Sequence, residues 1–187
     1  MKVTFEKKES QSLVASMLSI EPRDGGNNSG KSFDDIVLDL ATSIESNLPE
    51  PLKKEDAGPT TFTTRVVLGM EVMDSLATVL SQEIIKFNRL LERMSVTLAS
   101  LKKAINGLVV MSSDLDTMYN AFVNNEVPPV WESVGFSSLK GLGSWVCDLG
   151  FRVSFFRQWL LNGSPITYSL SAFFFPQVKA ISVPFCH

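Results

Sequence analysis

The chain has 187 residues, 44% of them hydrophobic and 20% charged, and a net charge of −3. That length allows one domain with a sizeable core and is marginal for two, and the composition excludes a disordered tail. The acidic balance excludes non-specific nucleic-acid binding, which needs a basic stripe.

A mean hydropathy of +0.13 is high for a soluble domain and points to a face meant for a partner. Cys147 and Cys186 fit a reducing compartment better than a disulfide scaffold. The single histidine, His187, cannot join them in a structural zinc site of the usual spacing. The opening "MKVTFEKKES" is charged throughout and lacks the apolar core of a targeting segment. No apolar run reaches the ~18–20 residues that cross a bilayer, and "YSLSAFFFP" (168–176) is too short. The expectation is an intracellular protein with no membrane and no nucleic-acid partner.

"EPRDGGNNSG" (21–30) has loop chemistry, and it runs into Lys31 and Ser32. Gly25, Gly30, Lys31 and Ser32 fit the G-x-x-x-x-G-K-[ST] spacing of a P-loop. In such a loop, backbone N–H groups cradle phosphate, the lysine reaches the terminal phosphates and the hydroxyl binds magnesium. The motif needs a buried strand ending at the first glycine and a parallel sheet around it. "LVASMLSI" (13–20) is apolar, but Glu21 to Asp24 separate it from Gly25, and the sequence after Ser32 reads as helices. The favoured reading is a flexible connector, with Ser32 capping the next helix and Lys31 solvated. No catalytic residue, metal ligand or cofactor site is assigned.

Phe33, Val37, Leu40, Ile44 and Leu48 mark one stripe of a helix. Asp34 and Asp35 sit in its first turn, and Ser32 with Asp35 resembles a capping box. "LPEPLKKEDAGPTT" (48–61), with three prolines, reads as a second linker. A long helix is predicted from about Leu68 to Ile105. Its seam is Met73, Leu76, Leu80, Ile84, Phe87, Leu91, Met94, Leu98, Leu101 and Ile105, with heptad spacing from Ile84 onward. Glu83 and Glu92 are assigned to its solvated face. Asn106-Gly107 breaks or weakens it. Ser113 is the expected cap of a helix carrying Leu115, Met118, Tyr119 and Phe122, which "VPPVW" (127–131) ends. A last helix runs from about Leu139 to Leu161. Leu142, Trp145, Val146, Leu149, Val153, Phe156, Trp159 and Leu160 are its apolar face, and "NGSP" (162–165) stops it. Cys147 is expected to be a buried, inert thiol. Short strands or irregular structure follow.

Several phrases resemble the C-terminal part of dynein heavy chains. They are "LSIEPRDGGNNSGKSFDDIVLDLA", "LSQEIIKFNRLLERMSVTLASLKKAINGLVVMSSDLDTMYNAF", "VPPVW", "SLKGLGSWVCDLGFRVSFFRQWLLNGSP" and "YSLSAFFFPQ". They occur in family order from about residue 14 to 177. The resemblance implies a lead-in segment and Gly-rich connector at 1–31. It implies a helical lid of the sixth AAA+ module at 32–163, and the truncated start of the C-terminal domain at 164–187. The fold it implies is mainly α, a helical lid or bundle with one long helix and a short β or irregular tail.

The same resemblance implies a non-catalytic piece of a microtubule-based, ATP-driven motor, in the cytoskeleton and first of all in the axoneme of cilia. ATP and magnesium would belong to the motor's other modules. The partners would be those modules, dynein intermediate and light chains, and microtubules. "VKAISVPFCH" (178–187) departs from the family's longer continuation, and the sequence starts with its own Met just before the connector. Both ends therefore look like those of a truncated product or an incomplete gene model. Two other readings stand beside this one: a small P-loop nucleotide-binding protein using Gly25 to Ser32, and an independent helical interaction protein. Loss of ring neighbours would expose apolar helix faces, and self-association through Trp145, Phe156 and Trp159 is expected.

Overall fold

The computed structural model describes residues 32–67 and 70–174. Gly25, Gly30, Lys31 and the apolar run 13–20 lie outside the described residues. So does the tail from 175 onward.

Helix α1 spans Phe33–Ser46. Ser32 caps it as expected. Its hydroxyl accepts from the Asp34 N–H at 3.4 Å, and its own N–H donates to Asp35 Oδ2 at 3.2 Å. The two bonds satisfy orphan donors of the first turn reciprocally. Val37, Leu40, Ala41 and Ile44 are buried, whereas Phe33 is 67% exposed and drops out of the predicted stripe.

The predicted linker 48–61 is instead a packed strap. The Leu52 N–H donates to Asn88 Oδ1, and Asn88 Nδ2 donates back to the Leu52 carbonyl, both at 2.8 Å. One asparagine thus replaces a strand partner for one residue. A 3₁₀ turn at Lys54–Asp56 follows. The Gly58 N–H then reaches the Leu160 carbonyl at 2.9 Å, and the Thr61 hydroxyl reaches the same oxygen at 2.8 Å. Prolines fix the path, and side-chain and backbone bonds hold it down.

At the predicted start of the long helix there is a β-hairpin. Strand β1 (Thr64–Val67) pairs antiparallel with β2 (Met70–Met73), with Val67 opposite Met70. Thr and Val in 63–67 favour extended backbone over helix. Helix α2 therefore starts at Ser75 and ends at Ile105. Its 31 residues run about 46 Å. Met73 and Leu76 are exposed, but Leu80, Ile84, Phe87, Leu91, Met94, Leu98 and Leu101 are buried as the seam requires.

Gly107 ends α2 at φ 71°. The Leu108 N–H bonds to the Lys103 carbonyl and the Gly107 N–H to that of Ala104, the paired bonds of a Schellman stop. Helix α3 spans Ser113–Val123, capped by Ser112 and not by Ser113. Ser112 has the extended backbone that a cap needs. The helix ends before the prolines, because Asn125 takes the left-handed position at φ 55°. Pro129 then opens the one-turn helix α4 (Pro129–Glu132), where a ring that lacks an N–H costs nothing. Helix α5 spans Leu142–Asn162 and stops at Gly163, φ 84°. All eight residues predicted for its apolar face are buried. Residues 163–174 are irregular apart from a 3₁₀ turn at Leu170–Ala172.

The protein divides into two compact units, and α2 and α5 contribute to both. One contains 32–48, 92–133 and 137–149. In it α1 packs on α3, and Trp131 sits at the centre of an aromatic group. The Trp131 indole lies 6.0 Å from that of Trp145 in a stacked arrangement, and 5.6 Å from Phe122 edge-on. Its N–H donates to Thr97 Oγ1 at 2.9 Å, so the large ring is buried with its polar atom satisfied. The other unit contains 49–67, 70–91, 134–136 and 150–174. Its core is aromatic: Phe87, Phe136, Phe156, Trp159, Phe173 and Phe174 are all buried.

Candidate functional site

Most of the residues singled out for chemistry lie outside the described residues. Of the P-loop spacing only Ser32 lies within the described residues, and its hydroxyl is engaged at the start of α1. The sheet among the described residues is a single antiparallel pair. No group of three His, Cys, Asp or Glu there could hold a metal ion. No described helix is long and apolar enough to cross a membrane.

Cys147 is half-buried on α5. Burial pushes its thiol upward in pKa, and the nearby Lys140 opposes the shift. Lys140 Nζ itself pairs with Asp148 Oδ1 at 3.2 Å. A thiol held in its neutral form is a poor nucleophile. Tyr119 on α3 donates its hydroxyl to Asp34 Oδ1 at 2.7 Å. That hydrogen bond, with burial and the carboxylate's charge, pushes the phenol up to about 12. It ties α3 to the first turn of α1.

An open groove of about 470 Å³ runs along the end of α3, α4 and the segment before α5. Asn120, Asn124, Glu126, Glu132 and Lys140 line it. These groups, with the hydroxyl-bearing Thr117 and Ser138, can hydrogen-bond.

Two features escape sequence reasoning. Glu83, expected on the solvated face of the long helix, is wholly buried, at 0% exposure. Its signal is present in the spacing. Leu80, Glu83, Phe87, Leu90 and Met94 form a second ladder of three- and four-residue steps, and every rung is buried. Glu92 is exposed, as expected. The second feature is an apolar run in water. Leu108, Val109, Val110 and Met111, between α2 and α3, are all exposed, Val110 at 87%. Trp145, Phe156 and Trp159, the residues expected to drive self-association, are buried inside the protein's own core. The apolar surface is therefore real but lies elsewhere, because the fold supplies internal partners for those three rings.

A profile of the C-terminal domain of dynein heavy chains matches residues 7–178. The protein belongs to this dynein family. The dynein domain is 42% identical over 175 residues to dynein axonemal heavy chain 6 of Homo sapiens. It is 38% identical over 177 residues to dynein axonemal heavy chain 1 of Rattus norvegicus, and 35% over 175 residues to dynein axonemal heavy chain 3 of Homo sapiens. Each alignment covers 94% of the domain and 4% of the relative. The domain therefore spans about one twenty-fifth of the length of these dyneins.

Proposed function

We propose that the protein is a non-catalytic, mechanical domain of an axonemal-type dynein heavy chain. The carrying observation is the alignment of 94% of its length with axonemal heavy chains. ATP and magnesium are bound by other modules of such a motor, and none by this domain. Its partners are the neighbouring modules of the motor ring and, through the complex, intermediate and light chains and microtubules. Its place is the cytoskeleton, in the ciliary axoneme. Residues 1–31 act as a lead-in and Gly-rich connector, 32–163 as a helical AAA+ lid-like region and 164–187 as the start of the dynein C-terminal domain. The engagement of Ser32 in a capping box supports the connector reading of Gly25 to Ser32.

Two experiments test this. Calorimetry with ATP and magnesium on the 187-residue chain and on its Lys31→Ala variant is expected to give no saturable heat from either. Saturable binding that disappears in Lys31→Ala would overturn the connector reading. The motor role is tested by grafting this domain in place of the matching segment of an axonemal heavy chain. Retained microtubule gliding is expected. A folded chimera that hydrolyses ATP but does not move microtubules would count against the role.

A further inference from the structure

The peptide bond between Phe173 and Phe174 is gripped at both ends by ionisable side chains. Its carbonyl oxygen accepts from Arg152 Nη1 on α5 at 2.8 Å. Its N–H donates to Glu83 Oε2 on α2 at 2.8 Å. A trans peptide points its C=O and N–H in opposite directions, so the two side chains reach one flat group from opposite sides. All of these residues belong to one unit.

The surroundings hold both side chains in place. The Arg152 guanidinium lies 3.9 Å from the centre of the Phe136 ring. Lys86 Nζ stands 3.4 Å from the other Glu83 oxygen and 5.9 Å from the centre of the Phe174 ring. Phe174 packs edge-on to Phe87 at 5.2 Å, and Phe173 edge-on to Phe156 at 5.4 Å.

The 3₁₀ turn ends at Ala172, so neither helix nor strand supplies partners for the next peptide. In an aromatic core its N–H and C=O must be satisfied, and a neutral amide on each side would suffice. Ionised partners make bonds about twice as strong as neutral ones. They also cost far more to bury. Opening the contact would leave the N–H and C=O of this peptide unsatisfied in the core, which is costly.

We propose that Glu83 and Arg152 form a two-sided clamp that anchors the Phe173–Phe174 peptide to α2 and α5. A load on the Phe173–Phe174 backbone passes through the clamp into α2 and α5. When the clamp opens, residues 173–174 come away while both helices stay folded. The purpose of such an anchor rests on the mechanical reading above. The clamp itself is tested on the 187-residue chain without a motor, so its failure is separate from failure of that reading.

The first readout is residue-resolved hydrogen exchange in wild type, Glu83→Leu, Glu83→Gln and Arg152→Met. Removing the acceptor in Glu83→Leu is expected to speed exchange of the Phe174 amide at least about tenfold, with the α2 amides 84–98 unchanged. Glu83→Gln, which keeps an acceptor, should fall between. Unchanged exchange at Phe174, or acceleration only in step with α2, overturns the clamp. Should Glu83→Leu fail to fold, Glu83→Gln and Arg152→Met carry the same readout. The second is single-molecule pulling between handles at residue 75 and the C-terminus. In Arg152→Met the force that frees Phe173 and Phe174 from α2 and α5 should fall about twofold, and an equal force would show that the clamp bears no load.

Discussion

Tyr119 shows how far one hydroxyl can be read. The sequence places it on a helix beside Met118 and Phe122, and the structure buries those two and leaves Tyr119 at the margin. Its partner Asp34 lies 85 positions away, a separation that no local pattern encodes. The phenol is raised from 10.0 to about 12, so the folded state holds the neutral form. Its contribution is complete below pH 10 and is lost as pH rises through about 12. Tyr119→Phe should cost about 0.5 kcal/mol at pH 8, a modest sum for a solvent-screened bond. Between pH 10 and 12 the melting temperature of the variant should fall less steeply than that of the wild type. Parallel curves would show that the bond contributes nothing to the fold. Glu83 carries the opposite lesson. A carboxylate inside a helical seam looks like a surface residue until its buried ladder is counted.

At the scale of elements, local chemistry is legible and long-range satisfaction is not. The Ser32 cap, the Gly163 stop and the apolar face of α5 follow from spacing and turn residues alone. The Asn125 stop and the Ser112 cap differ from expectation by a few residues, because several neighbours have the right chemistry and tertiary packing chooses among them. The hairpin at 64–73 escapes a reading by period because its apolar residues also fit a helix, and β-branching is outvoted by a strong pattern downstream. The strap 49–61 shows what prolines conceal. They exclude a helix but say nothing about packing. Gly58 has so little room there that an added Cβ would lie 2.4 Å from the Leu161 carbonyl oxygen. Gly58→Ala is expected to destabilise the protein by about 1–3 kcal/mol, measured by chemical unfolding. A change near zero would mean that the strap yields freely.

For the whole molecule, fold class and family are legible in the sequence, whereas the surface left for other molecules is not. Periodicity identifies which residues leave water, but not whether their partners are internal. The three aromatic residues expected at an interface find partners within the fold. A short irregular run, Leu108 to Met111, is exposed instead. Its presence predicts where association begins. Val110→Lys should raise the monomer fraction in sedimentation at unchanged melting temperature. Unchanged association would place the sticky surface elsewhere.

The aromatic cores also give each compact unit its own optical signature. Trp131 and Trp145 are stacked in one unit, with 18° between their planes. Two indoles so close couple through their strong far-ultraviolet transitions, and the resulting dichroism couplet is expected to vanish when the stack parts. Trp159 lies in the other unit, stacked on Phe156 and edge-on to Tyr168. Light therefore separates the units without any added dye, and the order in which they melt can be read from the native chromophores.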